Sequence, residues 1–248
     1  MFRKERHDAI LSEMKKHGYL TVKYFTQKLH YSTATINRDL NELERQKLIK
    51  RSYGGAELVE RRGIPLPYRY NKMRVEKRLV AHAAAELVKP GDTIFIDGST
   101  TTQSMAQFLT EIENITVITN NISLVSYLSE YGVDVICLGG RIQEVPSMLN
   151  GDITVMNAAM FRADKMFFST GGVSDNGRIG GSCYNLMFSI MAQNSEKIFY
   201  LADHDKINVK TSLYLFDFNK IDYVISDYDF PEETKQKYPK TEFIFVGK

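Results

Sequence analysis

At 248 residues, with 43% hydrophobic and 25% charged residues, the chain has an ordinary globular composition and enough length for one large core plus a small second domain. Charges interrupt every turn of the first twenty residues, and no run reaches the roughly eighteen apolar residues that a membrane span needs, so neither a signal peptide nor a membrane partner is expected. The formal net charge of +2 is unevenly divided: residues 1–55 hold 12 Lys and Arg against 6 Asp and Glu, whereas residues 56–248 hold 20 against 24, so a basic head suited to a polyanion precedes a mildly acidic body.

Three segments of helical period open the chain, residues 3–16 with Ile10, Leu11 and Met14 on one face, then 21–29 and 32–46. Gly18 suits the left-handed residue that ends the first. Thr21 can cap the second and Ser32 the third, their hydroxyls accepting from N–H groups that have no partner within the helix. Only His30 and Tyr31 separate the last two segments, the spacing of a helix-turn-helix. Across "STATINRDLNEL", Ile36, Leu40 and Leu43 recur at helical spacing and must face the core. The other side presents Ala34, Arg38 and Asn41, beside Ser32, Thr33, Thr35 and Asn37. Such a short polar face can enter a major groove, where Arg reads guanine and Asn reads adenine. Two short runs joined by Gly54 and Gly55 then predict a hairpin wing whose tight turn calls for positive φ. Lys50, Arg51 and Tyr53 on that wing are placed to meet phosphate or the minor groove. Residues 1–58 therefore read as a winged helix-turn-helix domain for double-stranded DNA.

"VERRGIPLPYRYNK" is proline-rich, charged and aperiodic, so a linker is expected over residues 59–72, with a second domain over 73–248. A helix follows, with Val75, Leu79, Val80, Ala83, Ala84, Leu87 and Val88 as a broad packed face that stops before Pro90 and Gly91. Apolar runs at 93–96, 115–119, 133–138, 165–169, 197–202, 223–226 and 243–246 then alternate with helical stretches. That alternation predicts βαβ units and an α/β fold with a mostly parallel sheet, covered on both faces.

In such a sheet the ligand lies beyond the carboxyl ends of the strands. The residues there are small or polar: Asp97, Gly98, Ser99, Thr100, Thr101 and Thr102, then Asn120 and Asn121, then Gly139, Gly140 and Arg141, then Thr170, Gly171 and Gly172, and finally Asp203 to Lys206. The turn "DGSTTTQSM", read as entering a helix over 103–109, offers N–H groups, hydroxyls and a helix dipole to one anion. Lys206 can supply the counter-charge. Cys137 and Cys183 stand far from any second Cys or His at metal spacing and read as reduced core or loop thiols of a cytoplasmic protein; no metal or cofactor is expected.

These motifs resemble the DeoR family of bacterial transcriptional regulators along almost the whole chain. The head matches at Ser32, Thr35 to Leu40, and Gly54 to Ala56; the body matches at Asp97 to Thr102, Thr119 to Asn121, Gly139 and Gly140, and Asp203 to Lys206. Three positions depart from the family pattern. Asn37 replaces an Arg of the recognition helix, Gly98 and Ser99 invert the usual order, and Asn185 stands nearest to where an acidic residue is common. The resemblance implies a repressor of a carbohydrate operon, controlled by a phosphorylated sugar, with a sensor domain whose fold resembles sugar-phosphate isomerases. A homo-oligomer, dimer or tetramer, is expected to bind paired half-sites through contacts of the body. The competing reading is a sugar-phosphate isomerase or deaminase with Asp97, Asp203 or Asp205 as base; it leaves the DNA-reading head without a purpose, and no His or Glu accompanies these carboxyls in a catalytic motif.

Overall fold

The structure is a computed structural model that describes residues 3–17, 19–46, 48–52, 54–58, 73–142, 148–181 and 186–247. Gly18, Tyr53, the expected linker, Cys183 and Asn185 lie outside the described residues. The chain divides into two compact units, residues 1–65 and 66–248.

In the first unit, α1 (Arg3–His17), α2 (Val22–Leu29) and α3 (Thr33–Arg45) surround a core of Ile10, Met14, Phe25, Ile36, Leu40 and Leu43. Both expected caps form: Thr21 Oγ1 accepts from Tyr24 N–H at 3.1 Å, and Ser32 Oγ accepts from Thr35 N–H at 3.2 Å. His30 takes a left-handed conformation that ends α2. The wing is a three-stranded sheet, because β1 (Tyr19–Thr21) pairs antiparallel with β3 (Gly55–Leu58), which also pairs with β2 (Ile49–Ser52). The strand β1 is too short to register as a period. Of the two turn glycines only Gly54 has positive φ. Gly55 is needed for space, since a Cβ there would run into the backbone of Leu20 and the ring of Tyr19.

The second unit carries a seven-stranded sheet built from β4 (Thr93–Ile96), β5 (Thr116–Thr119), β6 (Asp134–Cys137), β9 (Ala163–Phe168), β12 (Ser195–Ala202), β14 (Tyr223–Ser226) and β15 (Glu242–Phe245). All seven runs seen in the sequence become these strands, and every pairing is parallel. Neighbouring residues alternate between two apolar layers: Ile94, Ile96 and Phe167 pack on one face of the sheet, and Phe95, Met166 and Phe168 on the other. Burying each of these Phe rings contributes about 1.5–3 kcal/mol. The strand order β15-β14-β12-β9-β4-β5-β6 places β4 between β5 and β9, so the chain winds outward in opposite directions from β4. That reversal is the topological switch point at which open α/β sheets hold ligands.

Around this frame lie α4 (Arg74–Ala85), α5 (Thr100–Gln103), α6 (Ala106–Leu109), α7 (Ile122–Glu130), a β7–β8 hairpin (Arg141–Ile142, Leu149–Asn150), α8 (Asp152–Ala159), α9 (Leu186–Gln193) and α10 (Glu232–Lys237). A small antiparallel sheet joins β10 (Gly172–Val173), β11 (Arg178–Gly181) and β13 (Leu213–Asp217). None of the three was read from the sequence; β10 and β11 are too short and too rich in glycine to have shown a pattern. Three expectations need correction. The helix read over 103–109 is two single turns separated at Ser104 and Met105, so no long helix dipole stands behind the turn. The buried face of α4 is Lys77, Val80, Ala81, Ala84 and Ala85, with Val75 and Leu79 exposed; an apolar set wider than one face cannot all turn inward. Cys137 is exposed at the end of the edge strand β6.

Candidate functional site

In the head, Ser32, Thr33, Ala34, Arg38 and Asn41 are exposed along α3, as is Lys50 on β2; Thr35, Asn37 and Arg51 are partly covered. Ala34, Asn37, Arg38, Asn41, Glu44 and Arg45 line a shallow concavity of about 730 Å³. The Ser32 and Thr35 hydroxyls lie 3.0 Å apart within the cap. Arg51 does not extend from the wing. Its guanidinium donates to Asn37 Oδ1 at 2.6 Å and to Asn41 Oδ1, while its backbone N–H donates to Glu44 Oε1 at 2.9 Å. Both amides thus turn their oxygens toward one cation and their NH2 groups away from it. The two-point contact with adenine expected of Asn41 would use that same oxygen, which Arg51 engages.

Beneath this face, Asp39 is buried and bonded to Arg6, by its Nε and by Nη2 at 3.0 Å, and to His7 Nε2 at 3.1 Å. Burial raises the carboxyl, and the hydrogen bonds from Arg6 and His7 more than reverse that, holding it below its ordinary value. The interaction fastens α3 to α1. In the sequence, Asp39 is one more charge on an amphipathic helix, and the Arg6 and His7 that complete it lie more than thirty residues away.

In the body, five strand ends converge in the order β12, β9, β4, β5, β6. After β4, Asp97 Oδ2 accepts from Ser99 N–H at 3.1 Å and Oδ1 from the Thr102 hydroxyl at 2.7 Å; Ser99 Oγ caps α5 by accepting from Thr102 N–H at 3.2 Å. Asp97, Ser99 and Thr102 therefore shape the turn. Thr100 and Thr101 face two cations. Lys206 Nζ donates to Thr101 Oγ1 at 2.7 Å and to Ser169 Oγ, and Lys77 Nζ donates to Thr100 Oγ1 at 3.1 Å. Lys77 is only 5% exposed. Sequence reasoning missed it; its one signal is a lysine at the position that continues the buried stripe of Val80, Ala81 and Ala84. A hydroxyl that accepts from an ammonium is the stronger donor through its own hydrogen, so the pair is suited to an anion.

Among the described residues, two buried side-chain oxygens have no hydrogen-bond partner: Asn120 Oδ1 after β5 and Asp203 Oδ2 after β12, the latter 3.9 Å from Lys206 Nζ. Asn120 Nδ2 donates to Leu149 O at 2.8 Å. Buried acceptors of this kind suit a ligand that carries donors. The Asp97 carboxyl is pushed up to about 6 by burial, against the pull of Thr102, Ser99 and Lys206.

The other expected residues stand outside these lysine–threonine bonds, several of them in framing contacts. Asn121 caps α7, its Oδ1 accepting from Ser123 and Leu124 N–H, and its Nδ2 donates to Gln103. Gly140 packs where a Cβ would strike Thr154, whose hydroxyl donates to Gly139 O at 2.8 Å. Gly98 lies against Met148, Gly172 against Val209, Gly171 is exposed, and Arg141 is exposed on β7. None of the hydrogen bonds that join Thr100 and Thr101 to their lysines reaches these positions. Among the described residues, no group of three His, Cys, Asp or Glu side chains is placed to hold a metal ion, and no helix is long and apolar enough to cross a membrane.

A winged helix-turn-helix joined to a parallel α/β domain with polar side chains gathered at its switch point is the architecture of a ligand-responsive DNA-binding regulator. The comparisons specify which kind. The DeoR-like helix-turn-helix domain matches residues 6–62 and the DeoR C terminal sensor domain matches residues 72–228; the chain belongs to the DeoR family. It is 33% identical to the HTH-type transcriptional repressor GlcR of Bacillus subtilis, over 92% of this chain and 89% of that one. It is 28% identical to the glycerol-3-phosphate regulon repressor of Escherichia coli, over 90% of each, and 26% identical to the lactose phosphotransferase system repressor of Staphylococcus aureus, over 95% and 96%. Among solved structures, ribose 5-phosphate isomerase A of Methanocaldococcus jannaschii aligns over 55% of each chain, with a TM-score of 0.41 and 17% identity.

Proposed function

We propose that the chain is a transcriptional repressor of a carbohydrate operon and that a phosphorylated sugar or polyol, bound at the β4–β9 crevice, changes its affinity for operator DNA. The observation that carries this reading is the placement of Lys77 and Lys206 on the adjacent hydroxyls of Thr100 and Thr101, with Asn120 Oδ1 and Asp203 Oδ2, buried oxygens that accept no hydrogen bond, at strand ends on either side, the second within ion-pair distance of Lys206. The lysine–threonine pairs supply donors for a phosphoryl group and the two oxygens supply acceptors for hydroxyls, the two halves of a sugar phosphate. The names of two relatives, a glycerol-3-phosphate regulon repressor and a lactose phosphotransferase system repressor, support the same class of ligand. Against an isomerase or deaminase stands the engagement of Asp97 within its own turn, and the regulator reading gives the head its purpose. Arg38, Asn37 and Asn41 contact bases in this reading, and Lys50 contacts phosphate.

Calorimetry with a panel of sugars and their phosphates tests the proposal. Charge-assisted hydrogen bonds are worth about 1.5–3 kcal/mol each, so Lys206→Met should weaken the phosphorylated ligand by roughly ten- to a hundredfold, and Lys77→Met should weaken it by a comparable or smaller factor. Operator binding without ligand should be unchanged in both variants. Equal binding of a sugar and its phosphate by the wild type would overturn the assignment.

A further inference from the structure

The short turn His204–Lys206 follows β12, whose neighbours in the sheet are β9 and β14. Toward β9, Lys206 Nζ donates to Ser169 Oγ and, at 2.7 Å, to Thr101 Oγ1. Toward β14, Asp227 holds His204: its Oδ1 accepts from His204 N–H at 2.7 Å, and its Oδ2 lies 2.5 Å from His204 Nδ1. The side chain of Asp227 is 7% exposed and that of His204 48%, so a carboxyl largely out of water directs both oxygens at one residue. Without those partners its burial would be costly, which makes the contact a fixed point. Between that point and Lys206 the backbone is short and closed, because Lys206 N–H donates to Asp203 O at 2.9 Å and Ile207 N–H to His204 O at 3.1 Å. The turn is thus tied to the strand ends on either side of it.

We propose that His204 and Asp227 are positioning residues of the anion site: their contact anchors the turn after β12 to the end of β14 and so fixes the aim of Lys206 at Thr101. This rests on the reading of the β4–β9 crevice as the site of a phosphorylated ligand. A lysine ammonium rides on a flexible four-carbon stem, and ordering such a side chain costs less where its backbone is already fixed. His204 acts through Lys206 and does not itself touch the anion. Binding then depends on pH. The bond to Asp227 raises the His204 ring above its ordinary value, partial burial opposes this, and the charges of Asp227 from the β14 side and of Asp205 and Asp203 from its own turn add to the rise. The imidazolium is present below that raised value and is lost as pH rises through it. The charge-assisted bond to Asp227 weakens to a neutral one, and the hold on Lys206 weakens with it. The carboxyl of Asp97, pushed up to about 6, also acts on Lys206, so the contribution of His204 is read as a difference between proteins with and without it.

Calorimetry of the full chain with inorganic phosphate and with sulfate, whose charge stays constant with pH, tests this. At neutral pH His204→Ala should weaken both anions about tenfold, the worth of one charge-assisted bond. His204→Asn, which returns a donor near the place of Nδ1, should restore most of that loss. In a Lys206→Met background His204→Ala should change little, because its effect passes through the missing ammonium. Sulfate affinity of the wild type should fall as pH rises from about 6.5 to about 8.5, and that of His204→Asn should fall less. Asp227→Asn, which keeps an acceptor for the His204 N–H, covers the case in which His204→Ala does not fold, as judged by circular dichroism, and should weaken both anions. Three results would overturn the inference and leave the crevice reading intact: a folded His204→Ala that binds like the wild type, an equal loss with and without Lys206, which would put His204 on the anion itself, or identical sulfate profiles for the wild type and His204→Asn. Binding of neither anion by the wild type, or binding indifferent to Lys206→Met, would overturn the crevice reading and this inference with it.

Discussion

The buried carboxyl of the head, Asp39, is met by the guanidinium of Arg6 and the ring of His7, whereas that of the body, Asp97, is met by a hydroxyl and an N–H of its own turn. The first is held below its ordinary value and the second is pushed up to about 6. The polar groups around them follow the same division. On the outer face of α3, Asn37 and Asn41 are oriented by Arg51, with Asn41 exposed and Asn37 partly covered. At the strand ends of the body, Asn120 and Asp203 keep buried oxygens that accept no hydrogen bond, although that of Asp203 stands 3.9 Å from Lys206 Nζ. A surface that docks on a rigid duplex gains from side chains set in advance. A pocket that encloses a small molecule gains from groups whose partners arrive with it, because an unmatched buried acceptor disfavours ligands without the matching donor.

The largest effect expected from breaking this contrast is in the head. Asp39→Asn leaves Arg6 without its counter-charge, which should cost about 3–5 kcal/mol; a thermal melt of the full chain should show the head's transition lowered or lost, and operator binding with it. Because the carboxyl of Asp39 is depressed, its contribution is present above the unfolded pKa and is lost as pH falls through the folded one.

The sign reverses in the body. Asp97 binds its proton more tightly folded than unfolded, so folding is favoured at low pH and stability falls as pH rises from about 4 through about 6. Two units correspond to on the order of 2–3 kcal/mol. Denaturation of the body across that range should show the decline in the wild type and a flatter profile in Asp97→Asn. An identical slope in the two proteins would assign the pH dependence elsewhere.

A smaller effect sharpens the comparison from the other side. Arg51→Met releases the amides of Asn37 and Asn41 and should lower the ratio of operator to random-sequence affinity by about tenfold, near 1.4 kcal/mol. The salt dependence should change little if the phosphate contacts fall to Lys50, as proposed. If Arg51 instead meets phosphate, both affinities fall together and the salt slope drops by about one. Mobility shifts at several salt concentrations separate the two outcomes.

The amino-acid sequence by itself determined the elements and their chemistry. Thr21 and Ser32 cap helices by reaching three residues ahead, and each of the seven apolar runs is a stretch of adjacent positions. The bonds among Asp97, Ser99 and Thr102 close the turn on itself, so its shape too could be read locally. Tertiary structure decided everything that depends on which strand lies beside which. Lys206 reaches Thr101 across 105 residues and Lys77 reaches Thr100 across 23, while Arg51 crosses from the wing to amides ten and fourteen residues back. Such contacts follow from the strand order around β4 and from the packing of α4 and the wing. A lysine that will be buried against a threonine and one that will stay in water look the same along the chain, because desolvation is a property of the surroundings that folding assembles.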